Sequence, residues 1–207
     1  MSKAAEAAAA PAKRGRPSTG ARERILEAAI EVLKAEGYAG LTIAKVGVAA
    51  GESKPLVAYH YGSKQGLVEA AGRAVADLVT AEALAAVEGS TTVEQVIRGV
   101  GDGVERLLER DARLARLYFD LAAVSVVDPE VRRTITDAND GWQRVLTDLL
   151  RSADDGPPPA RARAIALMVN AGNQGLALDR IERGATPDWK RARDLFIRGA
   201  VAAAQAG

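Results

Sequence analysis

Lys54, Tyr59 and His60 share one short predicted helix and bring a positive charge, an aromatic hydroxyl and an imidazole to its outer side. Such groups hydrogen-bond to DNA phosphates and base edges. Metal and thiol chemistry are disfavoured, because the 207-residue chain contains no cysteine and one histidine. That histidine has no obvious nucleophile or orienting acid beside it, and Asp154-Asp155 is better interpreted as part of a solvated Gly/Pro linker. We therefore predict a protein that is not an enzyme, with no catalytic residue, no metal site and no cofactor.

Three predicted helices near the start of the chain position these side chains. An amphipathic stripe forms the first helix, Thr42 can cap a second over residues 43–50, and Ser53 can cap the third. Two short helices joined by a tight turn form the helix-turn-helix geometry, whose second member enters the DNA major groove. The alternative left open by periodicity is a plain three-helix packing unit with Tyr59 and Tyr61 in its core.

Three segments of this region keep the spacing of a known DNA-binding domain. They are Gly40-Leu41-Thr42-Ile43, Ala50-Gly51 and the run from Ser53 to Leu67, Ser-Lys-Pro-Leu-Val-Ala-Tyr-His-Tyr-Gly-Ser-Lys-Gln-Gly-Leu. Over residues 22–69 the sequence resembles the TetR (tetracycline-repressor) family, a set of ligand-responsive transcription factors that are mostly repressors and act as dimers on palindromic operators. The resemblance implies three partners: double-stranded DNA with a palindromic operator, a small-molecule effector and a second copy of the chain. We therefore predict a ligand-responsive transcriptional regulator, a repressor that a small molecule releases from its operator. The alternative is a helical homodimeric interaction protein without sequence-specific DNA binding.

The resemblance also implies which residues contact DNA. Positions that touch phosphates or base edges in the family correspond here to Thr42, Lys45, Ser53, Lys54, Tyr59, His60 and Lys64. Two positions depart from the family pattern. Glu52 stands where a small apolar residue is usual, which predicts a looser turn or an exposed acid, and Ala58 stands where tyrosine is common, which predicts one missing contact.

The first twenty residues form an Ala-rich, basic segment with no apolar face, and we predict a flexible tail over residues 1–20. Arg14 and Arg16 sit in Arg-Gly-Arg-Pro, which looks like the core of a minor-groove AT-hook, although an unspecific polycationic arm is the favoured interpretation. Residues 1–67 carry ten basic and six acidic side chains, whereas residues 68–207 carry 18 and 21. This asymmetry favours a polyanionic partner for residues 1–67.

The rest of the chain continues in helical periodicity, with no sustained alternation typical of strands. We predict an all-α fold of about nine helices, with a helix-turn-helix DNA-binding domain over residues 21–67 and a helical ligand-binding and dimerisation domain over residues 68–207. No uncharged apolar run reaches the roughly 18 residues of a membrane span, and no secretory signal is evident. We expect no membrane association and a cytoplasmic, bacterial-type protein associated with the nucleoid.

The second domain contains two further candidate sites. Small and large apolar residues at 3-4-3-4 spacing predict a dimer seam on the last two helices, with an intramolecular core as the alternative: Gly172, Gly175, Trp189, Ala192, Phe196, Gly199 and Ala203. In the family, these two helices of each subunit form a four-helix dimer bundle. Aromatic and amide side chains predict a pocket for a mainly apolar effector, with core packing as the alternative: Tyr118, Phe119, Trp142, Asn170, Asn173 and Gln174.

Overall fold

The apolar stripes of the sequence form eight helices in the computed structural model of the chain, which describes residues 20–206. Their bounds are α1 Ala21–Gly40, α2 Ile43–Ala50, α3 Lys54–Tyr61, α4 Lys64–Ala86, α5 Val93–Ser125, α6 Pro129–Ser152, α7 Pro159–Arg183 and α8 Pro187–Gln205. No strand occurs within the described range, and the all-α prediction is confirmed. The predicted tail, including Arg14 and Arg16, lies outside the described residues except for Gly20.

The count of eight instead of about nine arises within α5. Residues 93–125 form one helix, whose two halves meet at a kink at Asp111 (φ −153°, ψ 83°). The Asp111 carboxylate accepts a hydrogen bond from the Arg113 backbone N–H at 3.1 Å, so it caps the second half of the helix. Lys34 of α1 pairs with the same carboxylate at 2.5 Å, and this contact raises the pKa of Lys34. The ion pair between Lys34 and Asp111, which are 77 positions apart, therefore stabilises the kink. Helical periodicity does not detect a contact of this kind.

Side-chain caps begin most of the helices, as the sequence indicates. Hydroxyl or carboxylate oxygens accept a backbone N–H from the first turn at Thr42, Ser53, Ser63, Thr92, Asp128 and Thr186. Thr92 and Gln95 form a complete capping box. These short-range bonds fix where each helix starts and hence how α3 is presented.

Two apolar cores hold the helices together. The first joins α1 to α4 around residues such as Ile25, Val46 and Leu67, and it extends to Leu117 of α5 and Val131 of α6. The second core joins α5, α6, α7 and α8. Because α4 runs through residue 68 and the first core continues into α5 and α6, the helix-turn-helix packs directly on the helices that follow it. The division at residues 67 and 68 stays a prediction.

None of the helices within residues 20–206 has the length and apolar composition that crossing a membrane requires. Within the same range, no three His, Cys, Asp or Glu side chains come together in a way that fits a metal ion.

Candidate DNA-binding surface and effector cavity

The turn between α2 and α3 brings two short helices into close contact. Gly51 ends α2 with φ 65°, a left-handed conformation that favours glycine. The Glu52 backbone N–H donates to the Gly47 carbonyl at 2.9 Å, and a Cβ on Gly47 would stand 2.9 Å from the Glu52 carbonyl oxygen. A side chain at position 47 would therefore separate the two helices.

The outer side of α3 is free for a ligand. Val46 on the inner side of α2 and Val57 on the inner side of α3 are fully buried. On the outer side of α3, Tyr59 is 75% exposed and Lys54 is also exposed. The alternative that places Tyr59 in a core is therefore wrong. Tyr61 is half-buried and its hydroxyl donates to the Arg22 carbonyl oxygen at 2.7 Å, which fastens α3 to α1.

The other residues predicted to contact DNA differ in whether their polar groups already bond to other parts of the protein. The Thr42 and Ser53 hydroxyls accept capping bonds from backbone N–H groups at 3.2 and 3.3 Å, so each keeps its own proton for a phosphate. Lys45 is exposed and pairs with Glu36 of α1. His60 is half-buried, and its ring meets that of Tyr59 edge to face, with centroids 5.2 Å apart.

Of the residues predicted to contact DNA, Lys64 makes the most contacts within the protein itself. Its Nζ donates to the Tyr38 carbonyl oxygen at 2.7 Å and lies 4.2 Å from the centroid of the Tyr38 ring. Lys64 therefore joins the start of α4 to the end of α1. Substitution here would alter packing as well as charge.

The two departures from the family pattern have different outcomes. Glu52 is neither loosely placed nor exposed: its carboxylate pairs with Arg24 of α1, and the side chain is 14% exposed. The prediction of an exposed acid is wrong, because a basic partner 28 residues away neutralises it. Ala58 is half-buried on α3. Val48 of α2, which we did not predict, is almost fully exposed and offers an apolar contact of the kind that thymine methyl groups accept.

A polar junction connects this region to the helices behind it. The Tyr38 hydroxyl donates to Asp128 Oδ2 at 3.1 Å, and Gln65 Nε2 reaches Asp128 Oδ1 at 3.5 Å. The Tyr38 backbone N–H donates to Asp120 of α5 at 2.6 Å. The pKa of Asp128 is lowered, chiefly because the Val131 backbone N–H donates to its carboxylate at the start of α6. Burial and the Asp128 hydrogen bond raise the pKa of Tyr38, so the proton stays on the phenol.

A cavity of about 140 Å³ lies among α4, α5, α6 and α7. Its lining includes all six side chains predicted for the effector pocket: Tyr118, Phe119, Trp142, Asn170, Asn173 and Gln174. The Tyr118 ring meets Phe119 edge to face at 5.4 Å, and burial raises the pKa of Tyr118. The sequence identified these residues through aromatic and amide types on helices that face inward. It missed Asn139, whose Oδ1 accepts bonds from the Tyr118 hydroxyl at 3.1 Å and from Gln174 Nε2 at 3.4 Å.

The predicted seam residues lie on two different sides of α7 and α8. Ala192, Gly199, Ala203 and Gly175 are exposed. Leu195, which the sequence analysis did not select, is 62% exposed beside them on α8, and Leu167 and Leu178 are exposed on α7. This outward apolar surface, which we term the α7–α8 face, consists of Leu167, Gly175, Leu178, Ala192, Leu195, Gly199 and Ala203.

Trp189, Gly172 and Phe196 instead belong to packing inside one protomer. The Trp189 side chain is buried, and its Nε1–H donates to the Leu176 carbonyl oxygen at 2.8 Å. A Cβ on Gly172 would stand 2.3 Å from the Phe196 ring, so this glycine allows α8 to approach α7. For these three residues the intramolecular alternative is the one that fits the structure.

Comparisons with known proteins agree with this arrangement. Residues 25–71 match the model of bacterial regulatory proteins of the tetR family, and residues 93–203 match the model of the C-terminal part of BetI-type transcriptional repressors. The chain is 28% identical over 122 residues to the HTH-type transcriptional regulator BetI 1 of Chromohalobacter salexigens, which covers 58% of this chain and 60% of that protein. It is 27% identical over 186 residues to the HTH-type transcriptional activator FasR of Mycolicibacterium smegmatis, which covers 90% of this chain and 82% of that protein.

A solved structure supports the fold. A transcriptional regulator from Pseudomonas aeruginosa PAO1 superposes with a TM-score of 0.76 at 21% identity, covering 94% of both chains. The two family models together match the helix-turn-helix, the start of α4 and the helices α5 to α8, and most of α4 lies between the two matched ranges. The chain belongs to the TetR family of DNA-binding transcriptional regulators.

Proposed function

We propose that this protein is a homodimeric repressor that binds a near-palindromic operator through α3 and is released when a small, mainly apolar molecule enters the cavity. The observation that carries the proposal is the exposure of Tyr59 and Lys54 on a helix whose other side is buried and fixed. The site of action is chromosomal DNA in a bacterial cytoplasm, which would associate the protein with the nucleoid.

The α7–α8 face supports the dimeric part of this proposal. It is apolar and exposed on two adjacent helices, and soluble monomers seldom leave such a surface uncovered. A two-fold axis through it would present two copies of α3, which on a palindromic site must lie one helical turn of DNA apart (about 34–36 Å) or a multiple of it. The tail arginines Arg14 and Arg16 would add affinity for phosphates, either as an unspecific arm or in the minor groove.

Tyr59 and Lys54 should contribute to operator binding in different ways. Tyr59→Ala should weaken the operator complex by about 1–3 kcal/mol and reduce discrimination against other sequences, because an exposed aromatic hydroxyl contacts a defined position. Lys54→Ala should weaken all sequences alike and lower the slope of log affinity against log salt by about one. Fluorescence anisotropy on an operator selected from random DNA, repeated at several salt concentrations, measures both.

Neither substitution should alter folding, since both side chains are exposed, and the melting temperature is the control. Equal losses on operator and random DNA for Tyr59→Ala would show that this side chain does not select sequence. Unchanged affinity of both variants would contradict the assignment of α3 as the recognition helix.

Tyr38→Phe tests whether the polar junction couples effector to operator. The change deletes the hydrogen bond to Asp128 and leaves the ring that Lys64 covers. We expect the ratio of operator affinities without and with effector to fall by about fivefold, which corresponds to one hydrogen bond of about 1 kcal/mol. Effector affinity for the DNA-free protein should stay within about twofold.

Tyr118→Phe is the matched control, because it removes a hydroxyl inside the cavity that bonds Asn139. It should change effector affinity and leave the coupling ratio intact. Anisotropy titrations with and without a compound obtained by thermal-shift screening give both quantities. A Tyr38→Phe protein with full coupling would show that the signal takes another route.

A further inference from the structure

We infer that Arg24 of α1 is a positioning residue for operator binding, because it neutralises the Glu52 carboxylate in the turn that leads into α3. Without Arg24, this carboxylate would repel the DNA phosphates that the start of α3 must approach. The inference rests on the proposed binding of α3 to the operator, and it adds a residue of another helix that acts through Glu52 and needs no contact with DNA.

Glu52 lies where a negative charge would oppose DNA binding. It directly precedes Ser53, which caps α3, and Lys54, which is exposed at the start of that helix. Consecutive Cα atoms are about 3.8 Å apart, so a phosphate held by Ser53 would stand within roughly one Debye length, about 8 Å, of this carboxylate. Salt therefore screens the repulsion only in part, and like charges brought together at an interface lower affinity.

The ion pair with Arg24 removes this obstacle. Nη2 of Arg24 donates to Glu52 Oε1, and the Glu52 side chain is mostly buried. Nη1 of Arg24 lies close to Gly20 at the start of α1, 3.4 Å from the position that a Cβ would take there. The carboxylate is therefore directed towards α1, and the pair presents no net charge beside the start of α3.

Direct binding of a phosphate by Arg24 is the competing role, because 47% of its side chain is exposed. A phosphate that captured the guanidinium would, however, leave Glu52 unpaired beside it, and a charge that loses its partner is costly. The two roles make different demands on Glu52. Direct binding needs Arg24 alone, whereas neutralisation matters only while Glu52 carries its charge.

Two single variants and their combination separate these roles on the operator selected from random DNA. Arg24→Gln should lower affinity at least about tenfold, because the charge of Glu52 is left without a cation. Glu52→Gln should keep or raise affinity, since it removes the repelling charge. The double variant should return to within about threefold of the unmodified chain, with the same slope of log affinity against log salt, because the turn again carries no net charge. Fluorescence anisotropy at several salt concentrations measures all of these.

Three results would overturn the inference. A double variant as weak as Arg24→Gln, with a salt slope lower by about one, would show that Arg24 itself binds a phosphate. Weaker binding by Glu52→Gln would show that the pair acts by holding the turn in place. Unchanged affinity of Arg24→Gln would show that the charge of Glu52 does not matter. If Arg24→Gln melts early, the other two variants still decide between neutralisation and the competing roles.

Arg98→Gln is the matched control for the change in net charge. Arg98 is also about half exposed and pairs with Glu94 at 2.8 Å, in the part of α5 that belongs to the second core. Its operator affinity should change by less than twofold. Unchanged binding by the Tyr59 and Lys54 variants would overturn the proposed role of α3 and this inference with it. Normal losses in those variants beside an unchanged Arg24→Gln would overturn this inference alone.

Discussion

A Leu195→Glu variant should behave as a 21.6 kDa monomer in light scattering, whereas the unmodified chain should give twice that mass. Leu195 is 62% exposed in one protomer, so the substitution leaves the protomer core intact. In a dimer formed through the α7–α8 face, the new carboxylate would be buried without a partner, which costs several kcal/mol. Operator affinity should fall at least about 100-fold, because a monomer engages one half-site and loses the gain of simultaneous binding.

Val127→Glu is the matched control for the mass measurement. Val127 is also a large exposed apolar residue, at 81%, and it lies in the turn between α5 and α6 outside the α7–α8 face. This variant should keep the dimer mass. A Leu195→Glu protein that stays dimeric at micromolar concentration would show that the two copies associate through another surface. Phe196 is a poorer probe of the same question, because it packs on Gly172 within the protomer.

Local sequence signals were sufficient for the helices and their starts. Ser and Thr caps, the glycine at the α2–α3 turn and the 3.6-residue stripes each depend on residues a few positions apart. The aromatic and amide types of six residues on the middle helices were enough to identify them as side chains that line the cavity. Their contribution to ligand binding stays a prediction.

Pairings between distant residues were beyond the reach of the same signals. Glu52 and Arg24 are 28 residues apart, and nothing in their spacing predicts the ion pair that neutralises the acid. Helical periodicity also did not distinguish the buried side of α8 from its exposed side, because both sides carry apolar residues. Trp189 faces inward and Leu195 outward, and only the position of α7 decides which side is which.

The structure suggests how α4 relates the two sites. Its first turn contacts α3 and the polar junction, whereas Gly72 and Val75 further along the helix line the cavity. A shift of α4 caused by a ligand would therefore move the support of the recognition helix. Interfaces packed this closely change between discrete arrangements more readily than they deform.

Gly66→Ala should be among the most damaging single-methyl changes in this region. A Cβ on Gly66 would stand 2.0 Å from the Tyr61 carbonyl oxygen, which is backbone at the end of α3 and has no side-chain torsion to rotate away. The end of α3 must then separate from the start of α4, and overpacking of this kind costs about 3 kcal/mol. We expect lower stability in urea unfolding and loss of most operator affinity, because α3 loses its position against α4.

Gly141→Ala provides the control for the same chemical change. Gly141 lies within α6, and the nearest atom to its added Cβ is the end of the Arg144 side chain at 3.9 Å, an ordinary contact. Replacing a helical glycine with alanine should stabilise this variant by about 0.5–1 kcal/mol. If Gly66→Ala unfolds at the urea concentration of the unmodified chain and binds the operator equally well, the contact between α3 and α4 does not fix the recognition helix, and the route from cavity to DNA through α4 fails with it.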